Sequence, residues 1–128
     1  MPIYCRGIRG AITATDNTRI SILDATRELL RVIVAANELD ADDIGSVIFT
    51  TTSDLTAEYP AVAARELGWL DVALLCSHEL AVPTGLPRCI RVLIHWNTPK
   101  AQRDIKHVYL GDAQVLRPER SVALACLS

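Results

Sequence analysis

The sequence predicts an α+β fold, a mixed β-sheet with two helices packed on one face. Three observations carry this. Short β-branched and aliphatic segments alternate in polarity with the period of a strand. Two other segments keep helical spacing and have their own start and stop residues. The resulting order, β-α-β-α-β-β-β, lacks the strict alternation of a doubly wound sheet. No internal repeat, low-complexity segment or linker interrupts it. The 128 residues read as one domain over 1–118, with 119–128 as a C-terminal tail whose order over the rest is left open.

Residues 3–14, IYCRGIRGAITA, read as a strand interrupted by glycines, with Ile3, Cys5, Gly7 and Arg9 on one face. Small residues there let a ligand approach the backbone. Residues 16–39 form the strongest helix, opened by Asp16 or Thr18 as N-cap. Its apolar stripe is Ile20, Leu23, Leu30, Ile33 and Val34, and Asn37 marks its exit. DADDIG is a turn, and SVIFTTTS (46–53) a second, β-branched strand. Residues 53–68 hold a second helix, with Pro60 in its first turn and Gly68 as its stop. LDVALLCS (70–77) is the third strand, AVPTGLP a Gly/Pro turn region, and 88–98 the fourth strand. QRDIKHVYLGDAQVL closes with a short helical turn and a strand centred on 108–110.

Composition excludes several function classes. Half of the residues, 50%, are apolar and mean hydropathy is +0.23, yet no apolar run approaches a membrane span. A net charge of −2 and a pI of about 5.9 offer no basic footprint for nucleic acid or an anionic membrane. The N-terminus lacks the long apolar core of a signal peptide, so a cytoplasmic location is expected. Four scattered cysteines (Cys5, Cys76, Cys89, Cys126) without a C-x-x-C pair read as reduced thiols there. So small and apolar a chain suggests surface hidden in an oligomer. Of 13 basic residues only Lys100 and Lys106 are lysine. Arginine suits bidentate carboxylate recognition, although a GC-rich genome would leave the same bias.

The usual catalytic constellations are missing. RGIRGA opens no helix and lacks a P-loop lysine, and His78, His95 and His107 form no zinc spacing. CSHE (76–79) crowds thiol, imidazole and carboxylate, but strand alternation sends Cys76 and His78 to the face opposite Glu79. What remains is a set of arginines near strands. In LPRCIRVLIHW (86–96) alternation puts Ile90, Val92, Ile94 and Trp96 on one face and Cys89, Arg91, Leu93 and His95 on the other. A guanidinium mid-strand asks for an anion, because desolvating an unpaired charge is expensive. Arg9 stands among small residues, Glu79 caps the third strand, and Tyr109 faces the same way as His107. Arg65 on the second helix and Arg117 before a proline are, taken singly, explained as well by surface salt bridges. Residue chemistry alone thus describes a binder of a small polycarboxylate, without general base, metal or nucleophile.

Five motifs stand in a recognisable order: RGIRGA, AEYPAVAARELGW, LLCSHELAV, CIRVLIHWNT and HVYLGDAQVLRP. Together, over roughly residues 3–118, they resemble the monofunctional chorismate mutases of the trimeric α/β type. The resemblance implies that three chains join their sheets into a pseudo-α/β-barrel, with active sites in the clefts between subunits. It implies the rearrangement of chorismate to prephenate in phenylalanine and tyrosine biosynthesis, with no cofactor and no metal. It gives Arg91 the central role, on the ether oxygen of the breaking bond and a substrate carboxylate. Arg9 would hold the substrate from the first strand, and Glu79 would accept a hydrogen bond from the ring hydroxyl with Cys76 beside it. Tyr109 would touch a carboxylate, Tyr59 would stand at the pocket wall, and Arg65 and Arg117 at its mouth. The position three before Arg65, often lysine in the family, is Val62 here. That departure bears on electrostatic steering from this turn and leaves the core chemistry untouched. Two rivals stand beside it: a trimeric imine deaminase, of similar size and also with a carboxylate-binding arginine between subunits, which Glu79 with Arg9 in GIRG fits less well, and a non-catalytic sensor of aromatic metabolites on the same scaffold.

Overall fold

The computed structural model describes residues 2–116, so Arg117 and the 119–128 tail lie outside the described residues. The expected α+β architecture is present: β1 (Tyr4–Thr13), α1 (Arg19–Asn37), β2 (Ile44–Thr51), α2 (Ala61–Glu66), β3 (Ala73–His78), β4 (Cys89–Thr98) and β5 (Val108–Tyr109). Short 3-10 turns cover Ala41–Asp43, Gln102–Asp104 and Gly111–Val115. The strands form one mixed sheet in the order β3-β2-β4-β1-β5. β4 runs antiparallel to both neighbours, whereas β1 with β5 and β2 with β3 are parallel. Among the described residues no helix is long and apolar enough to cross a membrane.

Alternation along each strand sends Ile8, Ile12, Val47, Phe49, Ile90 and Ile94 to one face, where Ile22, Leu29, Leu30 and Ile33 of α1 meet them. α2 joins the same layer through Ala61 and Ala64, and its Glu66 pairs with Arg27 of α1 at 3.0 Å. α1 starts where Thr18 caps it, the hydroxyl accepting from the Ser21 N–H at 3.2 Å. Its buried stripe is not quite the one expected. Ile22 and Leu29 are fully buried, whereas Ile20 is 70% exposed. At about 100° per residue, Ile20 stands some 200° around the helix from Ile22 and faces solvent.

The glycine at position 10 makes room for the helix. A Cβ there would lie 2.8 Å from Ile33 Cδ1 and 3.2 Å from Leu29 Cδ1, so α1 approaches β1 as closely as it does because none is present. At the other end of α1, Asn37 is buried with its amide satisfied. It donates to the carbonyls of Ile33 (3.1 Å) and Lys106 (3.0 Å) and accepts from the Lys106 N–H (2.9 Å). This ties the helix exit to the segment entering β5. α2 is one and a half turns long, begun after Pro60 and stopped before Gly68, whose φ of +96° suits glycine. β3 begins at Ala73, three residues later than the pattern suggests, because Trp69 turns into the core first.

Candidate active site

The open face of the sheet, away from the helices, is where the chemistry gathers. Register sets Thr50, Arg91, Ala11 and Tyr109 in one row across β2, β4, β1 and β5, with Ile48, Leu93 and Arg9 in the next. Their parity places these side chains opposite the core residues. Glu79 reaches the same row from just beyond β3. Its N–H donates to the Thr51 carbonyl at 2.9 Å, extending the parallel pairing by one step. The result is a cleft of about 250 Å³ lined by Arg9, Thr50, Glu79, Arg91, Leu93 and Tyr109, among others.

Arg91 is not buried: its side chain is 46% exposed, so the guanidinium avoids most of a desolvation penalty and stays within reach of a ligand. Its Nε lies 3.4 Å from Glu79 Oε2. The Thr50 hydroxyl donates to that same oxygen at 2.5 Å. Among the described residues Arg91 meets no second carboxylate and Arg9 meets none, so the cleft sets two guanidinium groups against one carboxylate. Cys89, beside Arg91, packs with Ala11, Tyr109 and Ala113. Burial raises its thiol pKa, the nearby Arg91 charge offsets this only in part, and the thiol stays protonated. The backbone under Arg9 is held by His107, whose Nδ1 accepts the Arg9 N–H at 2.9 Å just where the β1–β5 ladder runs out.

A second cleft, of about 420 Å³, opens on the helix side of the sheet at the end of β3. Thr51, Tyr59, Cys76 and His78 line it, and Tyr59 is 68% exposed. Cys76 pairs in register with Phe49, a core residue, so it faces away from Glu79. Burial raises the Cys76 pKa, offset in part by the Ala61 N–H at the start of α2 and by the Arg65 charge. The loop carrying Tyr59 is fastened to the front of α1 by Asn17, whose Oδ1 accepts the N–H groups of Thr56 (2.9 Å) and Ala57 (3.0 Å).

Within one chain, then, Arg9, Glu79, Arg91 and Tyr109 converge on the open face. Tyr59 and Cys76, with Arg65 nearby, gather on the other side, and Arg117 lies outside the described residues. Thr50, Asn37 and His107 were not singled out by sequence reasoning as parts of a site. The run Thr50-Thr51-Thr52 is visible in the sequence, but only β2–β4 register shows that Thr50 faces Arg91. Among the described residues no group of three His, Cys, Asp or Glu side chains is placed to hold a metal.

Comparison with known proteins shows the family. The family model for chorismate mutase type I matches residues 5–120. Chorismate mutase AroH of Thermus thermophilus is 50% identical over 115 residues, spanning 89% of this chain and 94% of that protein. Chorismate mutase AroH of Bacillus subtilis (strain 168) is 42% identical over 118 residues, spanning 91% and 93%. Among solved structures, a chorismate mutase from Clostridium thermocellum superposes with a TM-score of 0.84 at 51% identity, over 85% of this chain and 97% of that one. Fold, identity and coverage agree, and the chain belongs to the chorismate mutase type I family, a family of isomerases.

Proposed function

We propose that this chain converts chorismate to prephenate by holding a reactive conformer and stabilising charge on the ether oxygen, in a site completed by a neighbouring copy. The observation that carries the reading is the convergence of Arg9 and Arg91 with Glu79 on one open cleft. The reaction is unimolecular and pericyclic, so it requires neither proton transfer nor a covalent bond to the protein. What it requires is that a dianion fold its enolpyruvyl group over the ring. Arg9 and Arg91 bind the carboxylates and select that conformer, an effect of orientation. As the ether C–O bond breaks ahead of C–C bond formation, negative charge grows on the ether oxygen. A guanidinium fixed at that atom stabilises the transition state more than the ground state. Glu79 accepts the ring hydroxyl and balances positive character on the ring, while Tyr109 contacts a carboxylate. The product feeds phenylalanine and tyrosine synthesis.

The split of the site residues into two clefts supports completion by a second chain. Tyr59, Cys76 and Arg65 lie across the sheet from Arg91 and cannot share one small ligand with it inside a single chain. In a ring of three copies, the Cys76 side of one chain closes over the Arg91 side of the next. The open face also presents Leu75, 61% exposed, next to half-buried Ile48 and Leu93, an apolar surface suited to another copy. The test is to follow loss of the chorismate diene absorbance with purified protein, detect prephenate, and measure mass by sedimentation. Turnover by a species of three times the 14.0 kDa chain mass is expected. A folded protein without turnover overturns the enzymatic reading. Full turnover by a dilute monomer overturns the shared site.

A further inference from the structure

We infer that Thr50 is a positioning residue for this reaction: its hydroxyl holds Glu79 by one oxygen, so that Glu79 and Arg91 do not consume each other. The inference deepens the reading of the cleft given above and rests on it. Thr50 stands directly opposite Arg91 on antiparallel neighbours, and Glu79 arrives from the end of β3. A carboxylate and a guanidinium left to themselves close into two parallel N–H···O bonds of about 2.7–2.9 Å. Here they do not. Arg91 Nε stays 3.4 Å from Glu79 Oε2, and the closest partner of that oxygen is the Thr50 hydroxyl at 2.5 Å.

The consequence is chemical. An Arg91 locked into a fork with Glu79 would have to be prised away by the substrate's own oxygens. With Oε2 claimed by Thr50, Arg91 keeps donors for the substrate, and Glu79 Oε1, which has no partner among the described residues, stays ready to accept a hydroxyl. Threonine also suits a strand by its β-branched shape, so a packing role must be separated from a role of the hydroxyl. Valine keeps the shape and loses the hydroxyl, whereas serine does the reverse.

The experiment measures kcat and KM for chorismate in wild type, Thr50→Val and Thr50→Ser, and melting temperatures of Thr50→Val, Glu79→Ala and the double variant without substrate. Thr50→Val should lose about ten- to a hundredfold in kcat/KM, the scale of one hydrogen bond to a charged group, with KM rising as well as kcat falling. Thr50→Ser should restore most of the rate. The two melting shifts should be non-additive, because both variants remove the same contact. The reverse order, with valine active and serine impaired, overturns the inference, as does Thr50→Val within twofold of wild type. A wild type without turnover overturns the reading of the cleft and the positioning role of Thr50 in the reaction with it. The melting cycle then still decides whether the contact exists, and additive shifts refute it.

Discussion

Replacing Arg91 by lysine keeps the charge and removes the geometry. In the cleft, one edge of the guanidinium already leans on Glu79 through Nε, which leaves the terminal nitrogens, in the mechanism proposed above, to serve two oxygens, the ether and a carboxylate. Lysine carries one compact ammonium on a flexible stem and cannot hold two oxygens in a fixed plane. Losing two hydrogen bonds to charged partners, each worth about 1.5–3 kcal/mol, predicts a barrier higher by about 3–6 kcal/mol. That corresponds to about 10²- to 10⁴-fold in rate. The fold should not suffer, because the Arg91–Glu79 pair is half exposed and such pairs contribute about 0–1 kcal/mol. The assay is the decay of chorismate diene absorbance, with a melting curve for each protein. A kcat for Arg91→Lys within tenfold of wild type would refute the reasoning. So would a variant that loses activity only because it no longer folds.

Three further outcomes are expected. Gly10→Ala forces a methyl to 2.8 Å from Ile33 Cδ1 and should cost about 1–3 kcal/mol of stability, read as a lower urea midpoint at fixed protein concentration; an unchanged midpoint would show that α1 yields freely. The Asp54 carboxyl is held below the usual range, first by the Thr52 hydroxyl and then by the Arg88 N–H. Its folded pKa is therefore below the unfolded one, so its stabilisation is present above about pH 4 and lost as pH falls through the folded value. Urea midpoints measured down to about pH 3 should fall less steeply in Asp54→Asn than in wild type, and equal slopes would disprove this assignment. Cys89→Ser should leave kcat within about threefold, because the buried thiol is protonated, packs against Tyr109 and Ala11, and meets Arg91 through a contact that a serine hydroxyl can keep. Complete inactivation by that change would mean that Cys89 touches the reacting atoms.

Local patterns were legible where one chemical preference dominated. Thr18, Pro60 and Gly68 mark helix ends through capping, a fixed φ and a positive φ, and the strand alternation of β4 sorted Arg91 from Ile90 and Val92 without error. Ile20 misled because an apolar residue in the first turn of a helix lies near the stripe in sequence yet off it in angle. The glycines of GIRG suggested room for a ligand, and what the sequence did not show is that Gly10 also makes room for α1.

What the sequence by itself determined is the set of elements, the polarity of their faces, and five ordered motifs that carry the family. These are local properties, set by periods of 2 and 3.6 residues and by the chemistry of single side chains. Only the tertiary structure decided that β4 lies between β2 and β1, and from this the site follows. That order sets Thr50 and Ala11 on either side of Arg91 and brings Glu79 to the same row. Register couples residues distant in the chain through hydrogen bonds between strands, and no period within one strand encodes which strand its neighbour will be.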